Sequence, residues 1–257
     1  MKTITIITDW KKADYYMAVM RGVLLSGGED IHIAELTHQV ETYKTEQAAF
    51  ILRSSFAYYP AGTIHIVGVR SEPENGGRYL AAKWQEQYFL FSDNGFATLF
   101  WQDGLPEDLY ELSGYDESSF PEADILAKAA LRVLDEGGLT TFSKFSGELF
   151  PKTPPLPWFE ENVIIGTVVH SDSFGNAITN ISREYFSKHT TGKKFVINPG
   201  NSFYPIREIS SHYRDVSQSD QLAIFNCSGM LEIAIRNGSA RELLGLKEGT
   251  NIRIEII

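Results

Sequence analysis

Four prolines fall within ten residues (Phe150-Pro151-Lys152-Thr153-Pro154-Pro155-Leu156-Pro157-Trp158-Phe159), and the chain changes character across them. Proline fixes φ, removes a backbone donor and pushes the preceding residue toward extended conformations, so neither a helix nor a central strand can run through this stretch. The 257 residues suffice for two modest domains. The expected organisation is an α/β domain over 1–150, a proline-rich linker over 151–160 and a β-barrel-like domain over 161–257.

Upstream of the prolines, strand and helix patterns alternate. Thr3–Thr8 is a β-branched run expected to form a buried strand, and Tyr15–Leu25 carries apolar residues at helical spacing before Gly27-Gly28. His32–Leu36 reads as a strand, Thr45–Phe56 as a helix and Thr63–Val69 as a strand after the Pro60-Ala61-Gly62 turn. Arg78–Trp84 and Gln87–Phe91 read as a strand pair, and Ala123–Leu134 as an amphipathic helix stopped at Gly137-Gly138. This alternation predicts a mostly parallel sheet with helices on both faces. Downstream, Val163–His170, Lys194–Ile197, Gln221–Asn226, Leu231–Ile235 and Asn251–Ile257 read as strands, with short helices at Arg183–Lys188 and Ala240–Leu244. That predicts a small antiparallel, barrel-like sheet.

Charge and composition exclude several partners. The formal net charge of −10, with no Lys/Arg stripe, disfavours nucleic acid. No apolar run is long enough to span a bilayer, and the N-terminal apolar run ends at Asp9, too short for a signal peptide. The single cysteine, Cys227, allows no intrachain disulfide. A soluble cytoplasmic protein acting on a small molecule is expected, with no membrane partner.

The candidate chemistry lies at strand ends. Asp9 follows the first strand, where ligands of open α/β sheets bind; a carboxylate there can accept both ribose hydroxyls, or Asp9 or Asp14 can cap the next helix. No phosphate-cradling glycine motif follows, so a nucleotide's phosphates have no seat. The six histidines (32, 38, 65, 170, 189 and 212) lack metal-ligand spacing, and no metal is expected; His32 and His65 sit inside strand patterns as potential sheet partners. Asp172-Ser173-Phe174-Gly175-Asn176 offers a carboxylate, a stacking face and an amide, or is simply a polar turn. Arg236-Asn237-Gly238-Ser239 ends another strand, and Ser239 suits the N-cap of a following helix.

The order and spacing of these motifs resemble the SAM hydroxide adenosyltransferases, the family that includes SAM-dependent fluorinases and chlorinases (SAM is S-adenosylmethionine). The similarity rests on Ile7-Thr8-Asp9, Asp14-Tyr15, Met20-Arg21-Gly22-Val23, Leu36-Thr37-His38, Tyr59 to His65, Ser92-Asp93-Asn94-Gly95, Gly166 to Ile181 and Ser228 to Leu246. The resemblance implies SAM as substrate with no other cofactor, and substitution at its C5′ carbon by water or a halide, releasing methionine. It also implies a homotrimer with the site at the subunit interface. By the same resemblance Asp9 would hold the ribose, Asp172 and Ser228 the methionine end, and Phe174, Asn176 and Arg236 would frame the adenine. Tyr43 falls near an aromatic position of the halogenases.

Two of the three water-activating groups implied by the family are replaced. The family's V-D-P-G-V-G-T loop reads Val69-Arg70-Ser71-Glu72-Pro73-Glu74-Asn75 here, with Arg70 in place of Asp. The F-H-G-R-D-I-F motif reads Phe120-Pro121-Glu122-Ala123-Asp124-Ile125-Leu126, with Pro121 in place of His. Arg78 stands near the family's arginine pair, which leaves Arg70 and Arg78 as the catalytic candidates. An Asp-to-Arg change turns a proton acceptor into a fixed cation. Two outcomes are therefore expected: an adenosyltransferase-type enzyme with altered machinery, or a degenerate member that binds SAM, adenosine or a related nucleoside without turnover. Arg70 pointing away from the pocket, with Glu72 or Glu74 pointing in, would favour the enzyme.

Overall fold

The computed structural model describes residues 2–11, 14–73, 77–116, 118–200 and 204–257. They form two units, Met1–Pro154 and Pro155–Ile257. Among the described residues no helix is long and apolar enough to cross a membrane.

The first unit begins with β1 (Lys2–Thr8), α1 (Tyr16–Leu25), β2 (Ile31–Thr37), α2 (Thr45–Ser55) and β3 (Ile64–Gly68). It continues with β4 (Tyr79–Trp84), β5 (Gln87–Ser92), α3 (Phe96–Phe100), β6 (Asp108–Glu111), α4 (Lys128–Glu136) and β7 (Ser143–Lys144). A π-helical segment, Glu122–Ala127, leads directly into α4. The sheet order is β2-β1-β3-β5-β4-β6-β7. Helices cover both faces. Ile4 and Ile6 pack with Met20 and Leu24 of α1 and with Ala129, Ala130 and Val133 of α4. Ile7 packs with the α2 and α3 residues Ala48, Leu52, Phe96 and Phe100 on the other face.

The expectation of a mostly parallel sheet is met in part. Pairings are parallel from β2 through β1 and β3 to β5, but β5-β4, β4-β6 and β6-β7 are antiparallel, so the sheet is mixed. The cause is local. Gln85 and Glu86, between β4 and β5, both have positive φ (46° and 60°), the backbone of a two-residue hairpin turn. A hairpin is necessarily antiparallel, and β6 and β7 extend the sheet from its outer strand.

The second unit contains β8 (Trp158–Glu160), β9 (Val163–Ser171), β10 (Ala177–Ser182), α5 (Arg183–Thr190), β11 (Phe195–Asn198) and β12 (Ile209–Ser210). It ends with β13 (Gln221–Phe225), β14 (Met230–Ile235), α6 (Ala240–Leu243) and β15 (Asn251–Ile256). One sheet runs β11-β15-β9-β10-β14-β13-β12, with β8 beside β9. It curls around one apolar core that includes Ile164, Val168, Ile181, Leu231, Ile233, Ile252 and Ile254. Gly166 permits the curl, because a Cβ there would stand 2.4 Å from Ile181 Cγ1. The expected antiparallel barrel is met in the curl and in most pairings. The strand path is open, however, and its end pair β12-β13 is parallel. The linker's last residues pair as β8, and β10 escapes the sequence pattern because polar Thr179 is buried, its hydroxyl donating to the Leu231 carbonyl (2.8 Å).

One buried polar relay ties the parallel strands of the first unit together. His65 Nδ1 lies 2.7 Å from Thr5 Oγ1 on β1, and Nε2 lies 2.6 Å from Gln87 Oε1 on β5. Gln87 Nε2 donates onward to the Tyr59 carbonyl at 2.9 Å. His32, by contrast, is exposed on the edge strand β2. Burial pushes the His65 imidazole down to about 4. An unfolded histidine accepts a proton near 6.5, so between these values the unfolded chain binds more protons than the folded one. Stability is then whole above the unfolded value and falls by about 3 kcal/mol as the pH drops from 6.5 to 4. Urea midpoints measured across this window will decline more steeply for the native chain than for His65→Gln, which keeps a polar side chain but has no titrating group.

Candidate functional site

Parallel strands deliver their carboxyl ends to one edge, and the first unit's cleft is built there. Asp9 directly follows β1, and Val69-Arg70-Ser71 follows β3. The cleft has a volume of about 780 Å³ and is lined by Asp9, Trp10, Tyr16, Thr42, Tyr43, Arg70, Ser71, Glu72, Pro73 and residues 118–122. That size is in the range of small-molecule sites. Neither Asp9 nor Asp14 caps α1, whose N-cap is Tyr15 without a side-chain bond. The Tyr43 backbone N–H instead donates to Asp9 Oδ2 at 2.8 Å. Tyr43 adopts a left-handed φ of 67°, which turns its amide onto the carboxylate. Among the described residues Asp9 Oδ1 accepts no hydrogen bond, so the carboxylate is oriented yet still has accepting capacity.

An aromatic wall adjoins Asp9. Trp10 lies 5.3 Å from Phe120 and 5.8 Å from Tyr16, ring centre to ring centre, and Tyr16 and Phe120 lie 5.1 Å apart. His38 stacks parallel to Trp10 at 6.2 Å and is fixed by Thr8 Oγ1 at 2.8 Å. Burial pushes the His38 imidazole below its ordinary value, so it is held as a neutral ring. Trp10, Tyr16 and Phe120 escaped the sequence reading, because aromatic residues in loops carry no periodic signal.

The loop after β3 is clamped from β5. Asn94 Nδ2 donates to the Val69 and Arg70 carbonyls at 3.0 and 2.6 Å, and Ser92 Oγ donates to the Ser71 carbonyl at 2.6 Å. This gives the Ser92-Asp93-Asn94-Gly95 motif a structural function. Arg70 has a left-handed φ of 48° and reaches the cleft together with Glu72; Glu74 and Asn75 lie outside the described residues. Arg78 is engaged elsewhere: its Nη2 donates to the Glu148 carbonyl (2.8 Å), pairs with Asp93 (3.1 Å), and its guanidinium lies over the Phe145 ring. Arg70 and Arg78, grouped in the sequence, are therefore not brought together in this cleft.

Glu122, which the sequence reading passed over, stands at the floor of the cleft and is 7 % exposed. The π-helical segment that begins there carries it inward, and such segments recur at functional sites. Burial pushes its carboxyl above the usual carboxylate range, and the Asp9 charge adds to this; the nearby Ser71 hydroxyl and Trp10 indole act in the opposite direction. Gly68 makes the room, since a Cβ there would stand 2.9 Å from Glu122 Cγ. Its sequence signal was a glutamate at a glycine position of the family motif.

In the second unit Asp172 organises its own turn. Its Oδ1 accepts the Phe174 and Asn176 N–H groups at 3.0 and 2.9 Å, and its Oδ2 accepts Asn176 Nδ2 at 2.9 Å. Phe174 is left 78 % exposed at the tip. This turn docks on the Arg236–Ser239 turn: the Arg241 N–H donates to the Gly175 carbonyl at 2.8 Å. The Arg236 guanidinium donates to the Val216 carbonyl at 2.6 Å. The Ser228 N–H donates to Asn226 Oδ1 at 3.0 Å, and Asn226 also reaches Glu232. Glu232 accepts the Tyr213 hydroxyl at 2.7 Å. Burial pushes the Glu232 carboxyl upward, with the Asp172 charge contributing. Asp172, Phe174 and Asn176 thus share one turn packed against Ser239 and Arg241, while the Arg236 guanidinium is engaged with Val216. Tyr213 and Glu232 are additions that only tertiary contact reveals. Among the described residues no group of three or more potential metal ligands gathers.

The family model for the SAM hydroxide adenosyltransferase N-terminal domain matches residues 4–143, and that for the C-terminal domain matches 166–253. The chain belongs to the SAM hydroxide adenosyltransferase family. It is similar to an (R)-S-adenosyl-L-methionine hydrolase of Thermus thermophilus, 27 % identical over 99 % of this chain and 100 % of that protein. A fluorinase of Actinopolyspora mzabensis is 21 % identical, covering 98 % of this chain and 96 % of the fluorinase. A crystal structure of an uncharacterized conserved protein from Thermotoga maritima superposes with a TM-score of 0.87, at 27 % identity, over 98 % of this chain and 99 % of that one.

Docking of the two turns can be tested through glycine. Gly175 (φ +81°) would place a Cβ 2.1 Å from Ser239 Oγ, whereas Gly192 (φ +75°) has nothing within 4 Å. Gly192→Ala therefore carries only backbone strain of about 1 kcal/mol. Gly175→Ala adds a steric clash, and its denaturant midpoint will correspond to a further loss of about 1–2 kcal/mol.

Proposed function

We propose that this protein binds SAM and catalyses substitution at its C5′ carbon, giving methionine and, with water as nucleophile, adenosine; with a halide the product is a 5′-substituted adenosine. The observation that carries this reading is Asp9: an oriented carboxylate with accepting capacity, at the carboxyl end of a parallel strand and beside an aromatic wall. In this reading Asp9 accepts the ribose hydroxyls. Tyr43 supplies the amide that orients Asp9. The docked turns of the second unit take the rest of the ligand: Asp172 and Ser228 meet the methionine end, while Phe174, Asn176 and Arg236 frame the adenine. The hydrolase and fluorinase names of similar proteins support the same chemistry.

The reaction makes modest demands on the protein. The leaving group is a neutral thioether departing from a sulfonium, so the site must exclude bulk water, align the nucleophile with the C5′–S bond and hold the cation until it discharges. The cleft lining carries three carboxylates, Asp9, Glu72 and Glu122, against one guanidinium, Arg70. That balance favours a cationic ligand.

A second reading, binding of SAM or adenosine without turnover, is favoured by Arg70 and Pro121 at the positions of the family's Asp and His. The two readings part on a single experiment. Incubation with SAM, with and without chloride, followed by chromatography will yield adenosine or 5′-chloroadenosine if the enzyme reading holds. Calorimetric binding of adenosine with no product from SAM would select the second reading. Asp9→Ala will weaken adenosine binding by at least tenfold, since a hydrogen bond to a charged group contributes about 1.5–3 kcal/mol.

We also propose a homotrimer in which neighbouring copies complete each site. Mixed trimers of Asp9→Ala and Asp172→Ala subunits will then recover turnover that each variant lacks alone. Absence of recovery in trimers shown to be mixed would refute the shared site.

A further inference from the structure

A nearly buried carboxylate lines the same cleft as Asp9, and it comes from the helical segment that leads into α4. The geometry points to Glu122 as the proton acceptor for the attacking water, a role that rests on the C5′-substitution reading above.

Four observations carry it. Glu122 lines the cleft that contains Asp9, although it is itself nearly buried. It is seated by construction: the π-helical segment turns it inward, and Gly68 supplies the space against its Cγ. Beside it the buried Ser71 hydroxyl acts on the Glu122 carboxyl and helps to fix it. A water on the cleft side of Glu122 would stand next to its proton acceptor. Finally, the net negative lining of the cleft disfavours entry of an anion, which makes water the better matched nucleophile.

An acid poised above the usual carboxylate range is also a stronger base than an exposed one. The step balances as follows. The water oxygen forms a bond to C5′ while the C5′–S bond breaks. The bonding pair goes to sulfur, giving neutral methionine. The water proton goes to Glu122 Oε, leaving adenosine with its 5′-hydroxyl, and Glu122 later returns the proton to solvent.

Around Glu122, Asp9 follows β1, Arg70 and Glu72 lie in the loop after β3, Tyr16 begins α1, and Tyr79 begins β4, its phenol pushed up to about 12 by burial first and by the Glu122 charge second. The test is Glu122→Gln with Glu122→Asp as its companion, assayed for adenosine formation from SAM across pH, with adenosine binding measured by calorimetry. Expected for Glu122→Gln are binding within about threefold of the native protein, a fall in kcat of about a hundredfold or more, and loss of the acidic limb of the kcat–pH profile. Glu122→Asp will regain part of the rate and keep that limb. A kcat for Glu122→Gln within threefold of native, with the limb unchanged, would overturn the assignment. So would a loss confined to KM, which would make Glu122 a holder of the sulfonium. Native protein that binds adenosine but forms none from SAM would instead overturn the substitution reading itself, and the assignment with it.

Discussion

The parallel pairing of β1 between β2 and β3 is the constraint on which the rest of the first unit depends. Parallel strands present all their carboxyl ends at one edge, and register fixes which residues arrive there. With Ile4 opposite both Ile33 and Ile64, and Thr8 opposite Gly68, β1 and β3 end level and send Asp9 and the Val69-Arg70-Ser71 loop to the same edge. The Thr5–His65–Gln87 relay lies one layer below this edge and links the same strands through buried hydrogen bonds. Burial of that relay in a neutral state helps to rigidify the platform on which the cleft stands. Slipping β1 by one residue would exchange its two faces and remove Asp9 from the edge.

The cleft concentrates unsatisfied electrostatics on a rigid frame. Glu122 and Ser71 are polar groups withdrawn from water, and Asp9 adds a second carboxylate nearby. Such an arrangement costs folding energy, which the aromatic and aliphatic packing on either face of the sheet offsets. In the second unit the solution differs. Asp172 uses its lone pairs on its own turn, and Glu232 accepts hydrogen bonds from Tyr213 and Asn226 on neighbouring segments. Order there comes from satisfied hydrogen bonds, and the exposed element is the Phe174 ring.

Loss of two catalytic groups from a family pattern need not remove the capacity for proton transfer, because the requirement is for a base at a point in space. The point can be reached from β3 or from the helical segment at 122–127, since both border the same cleft.

The sequence by itself determined much of this protein. Hydrophobic periodicity placed β1, α1, β2, α2 and β3 close to their observed limits, and the prolines marked the change between α/β and β character, because these signals are local and depend on backbone chemistry. Its motif order led to the adenosyltransferase family. What only the tertiary structure decided was the direction of β4 and β6 and the open path of the second sheet, since strand pairing is non-local. It also decided the fate of individual side chains. Arg78 reads like a site residue in sequence but is bound to Asp93, Glu148 and Phe145. Glu122 follows Pro121 unremarkably in sequence but becomes a buried acid, because burial is a property of the neighbours a residue meets after folding.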